Sequence, residues 1–304
     1  MADGAASDQS YSFEWIAAPE HLAPYLNSLY IVRVGSDDVT DVMPAYSGQL
    51  LIVLEGHAAM KFAGGTHGRT GAAGFMCPLT QGHEFSMQAG SVIMGASLNF
   101  RGWAALTGLP VNLYRDRYLP VGEVFDASVA ESCCAIPHQV SSGELTERQA
   151  ADVVADLISQ ALVPLSERHA QVIGCTLEWL SSSFKPEIAD LLEKLPYSER
   201  QVQRLVTKFF GQPPVRLIRR YRAIRAATIL SMPELSAKLE EEVRQAFYDQ
   251  AHMIKEIRHF TGRTPKRLQP AKNSMVKETL GEPGYGSVDL FGGNQDQELA
   301  RKGH

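Results

Sequence analysis

A segment near the C-terminus of this 304-residue chain occurs twice, 51 positions apart, and this duplication limits the fold more than any other pattern. Each copy begins with Ser198 or Asp249, residue types whose side-chain oxygens cap helix N-termini. An apolar stripe at positions i and i+4 follows, then a glycine suited to a left-handed C-terminal cap and a proline suited to the next helix start. The stripes are Val202 with Val206 and Met253 with Ile257; the identical pairs are Phe209/Phe260, Gly211/Gly262, Pro214/Pro265, Arg216/Arg267 and Leu217/Leu268. The chain therefore carries one helical cassette twice.

The helices around the first copy predict a DNA-binding domain. A helix predicted over 187–195 is separated from the first cap by only Pro196 and Tyr197. Two helices joined by so short a turn form the helix-turn-helix arrangement, whose second helix can enter a major groove. The segment 214–231 predicts a connecting helix of roughly 27 Å, which could hold two such units about one DNA turn apart. We therefore predict an all-α domain over 166–268 with two helix-turn-helix motifs joined by a long helix.

The charge distribution agrees with a separate phosphate-binding module. Residues 166–270 carry 18 Lys and Arg against 12 Asp and Glu, whereas residues 1–165 carry 7 against 17, within a net charge of −5. A basic segment beside an acidic one is typical of a nucleic-acid-binding domain attached to another domain. No apolar run approaches the length of a membrane span and no signal peptide is expected, so the sequence predicts a cytoplasmic protein.

The stretch 188–268 resembles the AraC/XylS family of regulators, in SERQVQRLVTKFFGQPP and in FYDQAHMIKEIRHFTGRTPKR. The resemblance implies a sequence-specific transcription regulator that binds double-stranded DNA and is not an enzyme. It further implies a homodimer that responds to a small-molecule effector, and contact with RNA polymerase if the protein is an activator. No cofactor is expected.

The resemblance also assigns residues to the DNA. The family's base-contacting positions fall on Arg200, Gln203 and Arg204 in the first motif, with Gln201 beside them, and on Ala251, His252 and Lys255 in the second, with Gln250 nearby. Arginine pairs with guanine and glutamine with adenine, so several of these residue types suit base edges. Phosphate contacts are expected from Ser198, Thr207, Lys208, Arg216, Arg219, Arg258, Lys266 and Arg267. Arg220, Arg222 and Arg225 on the connecting helix could contact phosphates or lie against neighbouring acids.

The second motif departs from the family pattern. Glu240, Glu241 and Glu242 fall around positions where apolar residues are expected, and Ala246 stands where the family has a turn glycine. Pro196 likewise replaces a glycine in the first turn. Acids that point inward or toward DNA would be costly, which suggests that the second motif binds weakly and the first supplies most of the specificity. The departures also leave open a degenerate family member that acts through protein partners.

Residues 1–130 predict a β domain. Short apolar runs broken by glycine, such as 50–54, 58–62 and 91–94, indicate a small barrel or sandwich. The stretch 97–125 resembles the end of a cupin-like barrel that binds an effector or mediates dimerisation. The expected domains are thus 1–130, a cupin-like β-barrel; 131–165, a linker (131–143) and an interdomain helix (146–162); 166–268, the DNA-binding domain; and 269–304, a disordered tail. The fold class is α+β, multidomain.

The expected effector pocket contains Arg101, Trp103 and Tyr114, although Trp103, Tyr114 and Tyr118 could equally be core residues and Arg101, Arg115 and Arg117 exposed charges. A cupin-type enzyme is the further alternative. A metal-binding cupin needs a His-x-His pair followed by Glu and a further His, and only His83-Glu84 comes near. No metal site is therefore predicted. The four cysteines have no disulfide or zinc spacing, which leaves reduced thiols or, less simply, a redox sensor.

Overall fold

The first half of the chain folds into two antiparallel sheets. The structure, a computed structural model, describes residues 11–231, 235–268 and 280. The larger sheet has the strand order β1-β2-β9-β4-β7-β10, and the smaller has the order β3-β8-β5-β6. The strands are β1 Tyr11–Ile16, β2 Leu26–Val34, β3 Val39–Met43, β4 Gln49–Glu55, β5 Ala58–Lys61, β6 His67–Arg69, β7 Ala73–Met76, β8 His83–Met87, β9 Val92–Leu98 and β10 Tyr118–Pro120.

The burial of the strands shows how the sheets are covered. In β8, His83, Phe85 and Met87 are buried and the residues between them are exposed. This alternation is typical of a sheet with one face exposed to solvent. In β9 almost every residue is buried, because one face lies on the inner core and the other beneath helices. The prediction of a β domain followed by a helical domain is confirmed. The predicted barrel is corrected in one respect: the described strands form two facing sheets and not a single closed one.

The expected linker at 131–143 is wrong. Helix α3 spans Ala127–Ser141, and Asp126 caps it by accepting a hydrogen bond from the Val129 amide at 3.0 Å. Its buried residues Ala130, Cys133 and Ile136 recur every three positions and pack on the larger sheet. The serines, cysteines and proline of this segment have weak helix propensity, but the apolar contact with the sheet overrides it.

The predicted helix at 146–162 is present as α4, Glu147–Ala161. Thr146 and Gln149 form a capping box at its start, which pairs two backbone amides that would otherwise lack partners. Its buried stripe, which includes Val154 and Ile158, joins the core formed by α3 and the larger sheet. This helix therefore belongs to the N-terminal domain.

The second domain is helical, as the periodicity predicts. Two short helices, α1 Phe100–Thr107 and α2 Val111–Tyr114, lie at the junction. They precede α5 Glu167–Ser181, α6 Ile188–Glu193, α7 Glu199–Phe210, α8 Pro214–Leu230, α9 Ala237–Gln245, α10 Gln250–Thr261 and α11 Pro265–Leu268. Gly211 and Gly262 end α7 and α10 with φ of +78° and +74°, the left-handed caps expected from the repeat.

The expected disordered tail, 269–304, lies outside the described residues except at one position. Leu280 is buried, and its carbonyl accepts a hydrogen bond from Thr228 Oγ1 at 3.4 Å. The Leu280 side chain fills apolar surface beside α8, and the expected disordered tail otherwise stays a prediction.

Candidate nucleic-acid interface

Helix α7 presents a polar face to solvent. Val202 and Val206 are fully buried, and this stripe holds the helix against the rest of the domain. On the opposite side Arg200, Gln203 and Arg204 are exposed, as is Gln201. Gln201 is partly used locally, because its Oε1 accepts a hydrogen bond from the Ser198 amide at 3.1 Å in a capping box. Two arginines and a glutamine on one exposed helix face can reach base edges.

Helix α10 presents fewer such groups. Gln250, Ala251 and Lys255 are exposed. His252 is half-buried, and its Nε2 lies 3.1 Å from Glu256 Oε1. The assignment of His252 to a base stays a prediction, and its Nε2 would have to leave Glu256 to reach one. The second motif therefore has one exposed cation, Lys255, among its four expected base-contacting positions.

Glu256 is a buried charge at this interface that sequence reasoning did not identify. Its side chain is 2% exposed, and its carboxylate accepts hydrogen bonds from Arg219 Nε at 2.6 Å and Arg222 Nη2 at 2.5 Å. Burial raises the pKa of Glu256, but the hydrogen bonds from Arg219 and Arg222 and the charges of Arg222 and His252 lower it below the ordinary value. A comparison of the two copies could have identified Glu256, because the equivalent position of the first copy holds an apolar residue, Leu205.

The phosphate candidates fall into two groups. Ser198, Arg216, Arg258, Lys266 and Arg267 are exposed. Thr207 and Lys208 are half-buried, the threonine hydroxyl donating to the Gln203 carbonyl at 2.7 Å and the lysine lying over the Phe209 ring at 5.1 Å. Arg219 is exposed but paired with Glu256, and Arg220 is fully buried, so these two arginines of α8 do not present free cations as expected.

The acids before the second motif point outward. Glu240 and Glu242 are exposed and Glu241 half-buried, with Glu241 paired to Arg244. The buried contacts of α9 come from Val243, so the expected cost of inward acids does not arise. Ala246 has φ of −67°, a conformation open to any residue, and the turn therefore needs no glycine.

A cavity opens between the two sheets of the N-terminal domain. It contains about 730 Å³ of space not filled by protein atoms, a figure that includes open solvent at its mouth. Phe13 stacks on Trp15 with ring centroids 5.1 Å apart, and Trp15 lies 5.6 Å from Tyr30. Tyr30 donates a hydrogen bond to Gln49 Oε1, and burial raises the pKa of Tyr30 well above its ordinary value. Among the described lining residues none is charged.

The expected effector residues do not line this cavity. Trp103 is buried in the core on the other side of the larger sheet, and its Nε1 donates to the Leu109 carbonyl at 3.0 Å. Tyr114 packs on the same core, and Arg101 is half-buried on α1. Of the aromatic residues considered in this region, Tyr118 does line the cavity. Arg101 and Trp103 lie on α1 and Tyr114 lies on α2, outside this cavity, and their assignment to an effector pocket stays a prediction.

The two domains touch at the C-terminal ends of α7 and α10, the second helices of the two helix-turn-helix motifs, which we call the recognition helices. Arg115 Nη1 donates to the Gly211 carbonyl, at the end of α7, at 2.7 Å. At the end of α10, the Gly82 amide donates to the His259 carbonyl at 3.0 Å and the Ala45 amide to the Phe260 carbonyl at 2.7 Å. Arg263 pairs with Asp41. Phe100 and Phe210 add an apolar contact, with ring centroids 4.4 Å apart.

The histidines, cysteines and longer helices of the described residues bear on the remaining alternatives. Residues 11–231, 235–268 and 280 contain no group of three or more His, Cys, Asp or Glu that could hold a metal ion. His83 instead lies 3.0 Å from Asp116. Burial raises the pKa of Cys77 and Cys133 to about 12, which makes these thiols unreactive. In the described part of the chain no helix is both long and apolar enough to cross a membrane.

Comparison with known proteins identifies a helix-turn-helix domain in the helical region. Residues 191–270 match the family model of a helix-turn-helix domain. No curated protein matches the chain. ToxT from Vibrio cholerae O395 aligns at 8% identity and TM-score 0.43, over 85% of this chain and 97% of ToxT. Wild-type ToxT with bound unsaturated fatty acid, from V. cholerae strain SCE256, aligns at 10% and 0.43, over 86% and 95%. The AraC-like transcriptional activator CuxR aligns at 15% and 0.30, over 71% and 86%.

Proposed function

We propose that this chain, whose residues 191–270 match the model of a helix-turn-helix domain, is a DNA-binding transcription regulator of the AraC/XylS type, and that α7 supplies most of its sequence specificity. The observation that carries the proposal is the outward face of α7, where Arg200, Gln203 and Arg204 are exposed over a buried valine stripe. In α10 the only exposed cation at an expected base-contacting position is Lys255. We propose that α10 contributes mainly affinity through this cation and the neighbouring exposed basic residues.

A salt series tests DNA binding. The full-length protein is expected to bind DNA from its own upstream region more tightly than random DNA of equal length. The logarithm of the binding constant should fall steeply with the logarithm of salt concentration, by about 0.9 for each phosphate neutralised. Fluorescence anisotropy from about 50 to 200 mM salt measures the slope. A flat salt dependence, or equal binding to both DNAs, would count against the proposal.

Two further features follow from the family resemblance. We propose that the protein acts in the cytoplasm as a homodimer, and that it contacts RNA polymerase if it activates transcription. Analytical ultracentrifugation with and without DNA tests the first of these. Sedimentation as a monomer under both conditions would exclude the dimer.

We also propose that an effector binds in the cavity between the sheets. The cavity wall is linked to the helical domain through one short segment, because Met43 and Tyr46 line the cavity while their neighbours Val42 and Ala45 lie against the end of α10. A ligand that moves the segment 42–46 therefore also moves the second recognition helix. Coupling of this kind requires only that the ligand favours one arrangement of the two domains.

The cavity suits an uncharged aromatic molecule. Its stacked ring wall offers apolar contacts, and Gln49 and Tyr30 offer polar groups for a single hydrogen bond. A carboxylate would lose its hydration without meeting a cation among the described lining residues, which is costly.

Thermal shift measurements check this proposal. Indole is expected to raise the melting temperature of the full-length protein by several degrees at saturating concentration, and indole-3-carboxylate to leave it unchanged. Ala58→Phe fills the cavity and should abolish the response to indole, whereas Ala237→Phe, on the exposed surface of α9, should preserve it. Stabilisation by the carboxylate, or an indole response that survives Ala58→Phe, would refute the assignment.

A further inference from the structure

The last carbonyl groups of a helix have no partner within the helix and must be satisfied elsewhere. At the ends of α7 and α10 the N-terminal domain supplies hydrogen-bond donors to some of these carbonyl groups. Arg115 donates to the Gly211 carbonyl, and the Ala45 and Gly82 amides donate to the carbonyls of Phe260 and His259. Both recognition helices are therefore capped, at the end farthest from their reading residues, by groups of another domain.

The two cap glycines lie very close to that domain. A Cβ atom added to Gly211 would lie 2.8 Å from Val111 Cγ1, and one added to Gly262 would lie 2.1 Å from Val42 Cγ1. Distances below 3.0 Å are essentially never seen for real Cβ atoms. The glycines thus serve two purposes, since each adopts a left-handed conformation and also lets the N-terminal domain approach the helix end.

These contacts add a second connection between the two recognition helices. Within the helical domain they are joined through α8, which packs against both. The N-terminal domain joins them again, through Arg115 at the end of α7 and through Asp41, Val42, Ala45 and Gly82 at the end of α10. A helix held both by its stripe and by its C-terminal end is restrained against tilt, and tilt would change the position of its N-terminal residues at the DNA.

We propose that the N-terminal domain sets the distance and tilt between the two recognition helices, with Arg115 and the Arg263–Asp41 pair as positioning residues. The inference rests on the proposed function and adds a structural source for the spacing of the two DNA sub-sites. The domain contacts no base; it acts through the helix ends. Loss of a positioning contact leaves each sub-site sequence unchanged and loosens only the distance between them.

Selection of binding sites from random DNA tests the inference with full-length proteins. The wild type is expected to enrich two sub-sites at a single separation, near one helical turn of about 34 Å. Arg115→Ala and Arg263→Gln should enrich the same sub-sites over a range of separations. On a site lengthened by one base pair, the wild type should lose roughly tenfold in affinity and the two variants much less. Arg115→Lys, which keeps a donor for the Gly211 carbonyl, should restore the single separation.

Two matched controls separate positioning from general damage. Arg69→Ala removes an exposed arginine of β6 and should leave the spacing unchanged. Gly262→Ala introduces both a strained φ and a clash with Val42. Gly108→Ala introduces only the strained φ, because nothing lies within 4 Å of its added Cβ, and it therefore controls for backbone strain. Adding Val42→Ala to Gly262→Ala should recover part of the spacing preference. If Arg115→Ala and Arg263→Gln both keep the wild-type separation, the positioning inference is refuted and the proposed function is unaffected. If the wild type enriches no sequence, both the proposed function and the inference are refuted.

Discussion

Replacement of Glu256 by alanine is expected to lower the free energy of unfolding of the helical domain by about 3–5 kcal/mol, the usual cost of removing one partner of a buried ion pair. Glu256 is 2% exposed, and the side chain of Arg222 beside it is only 10% exposed, so the variant leaves a buried cation without its carboxylate. The same contacts hold α10 on α8, and specific DNA binding should weaken with stability. Urea denaturation followed by circular dichroism measures the change.

Two comparisons define this prediction. Glu256→Gln keeps the shape and some hydrogen bonds, and should cost less than the alanine variant. Glu240→Ala removes an exposed acid from α9 and should change stability by less than about 0.5 kcal/mol. Equal and small effects of Glu256→Ala and Glu240→Ala would show that the Glu256 cluster does not hold the second motif.

The stabilisation from Glu256 should decrease as pH falls. Its pKa in the folded protein lies below the ordinary value: burial alone would raise it, but the hydrogen bonds from Arg219 and Arg222 prevail. A depressed carboxyl pKa contributes stability that is present above the unfolded value of about 4.3 and is lost as pH falls through the folded value. The stability difference between wild type and Glu256→Gln should therefore shrink as pH falls below about 4.

Replacement of Arg204 by alanine is expected to weaken binding to the specific site by about 1–3 kcal/mol and to relax the preference for one base pair. Arg204 is exposed on the outward face of α7, and in the described part of the chain it has no ion pair to replace the lost DNA contact. Lys255→Ala, in the second motif, should cost less and should reduce affinity for all sequences alike. Competition binding against single-base variants of the selected site measures both effects.

The comparison of Arg204→Ala with Lys255→Ala tests the proposed ranking of the two motifs. Arg148→Ala removes an equal charge from the exposed surface of α4 and controls for the change in overall field. Equal losses from Arg204→Ala and Lys255→Ala would contradict the proposal that the first motif supplies most of the specificity.

Local patterns in the sequence were sufficient to predict the helical domain and the exposed polar face of α7. Caps, glycine stops and apolar stripes act over four to twelve residues, so they predict where a helix begins, ends and buries itself without knowledge of its neighbours. The repeat placed α7 and α10 to within a residue, and the exposure of Arg200 and Arg204 follows from the burial of Val202 and Val206. The same reasoning failed at α3, because its helix depends on apolar contact with a sheet more distant in the chain.

Only the tertiary structure decided which charges face solvent and which face one another. Glu256 meets Arg219 across 37 positions and Arg222 across 34, and Arg263 meets Asp41 across 222. The cavity likewise depends on strands brought together from 13 to 118, whereas Trp103 and Tyr114 lie on α1 and α2 and pack in a different core. Periodicity states that a residue is buried or exposed, whereas the identity of its partner is set by chain segments that approach through the packing of whole elements. The sequence therefore determined that two helices could read DNA, and the fold decided what holds them at their distance.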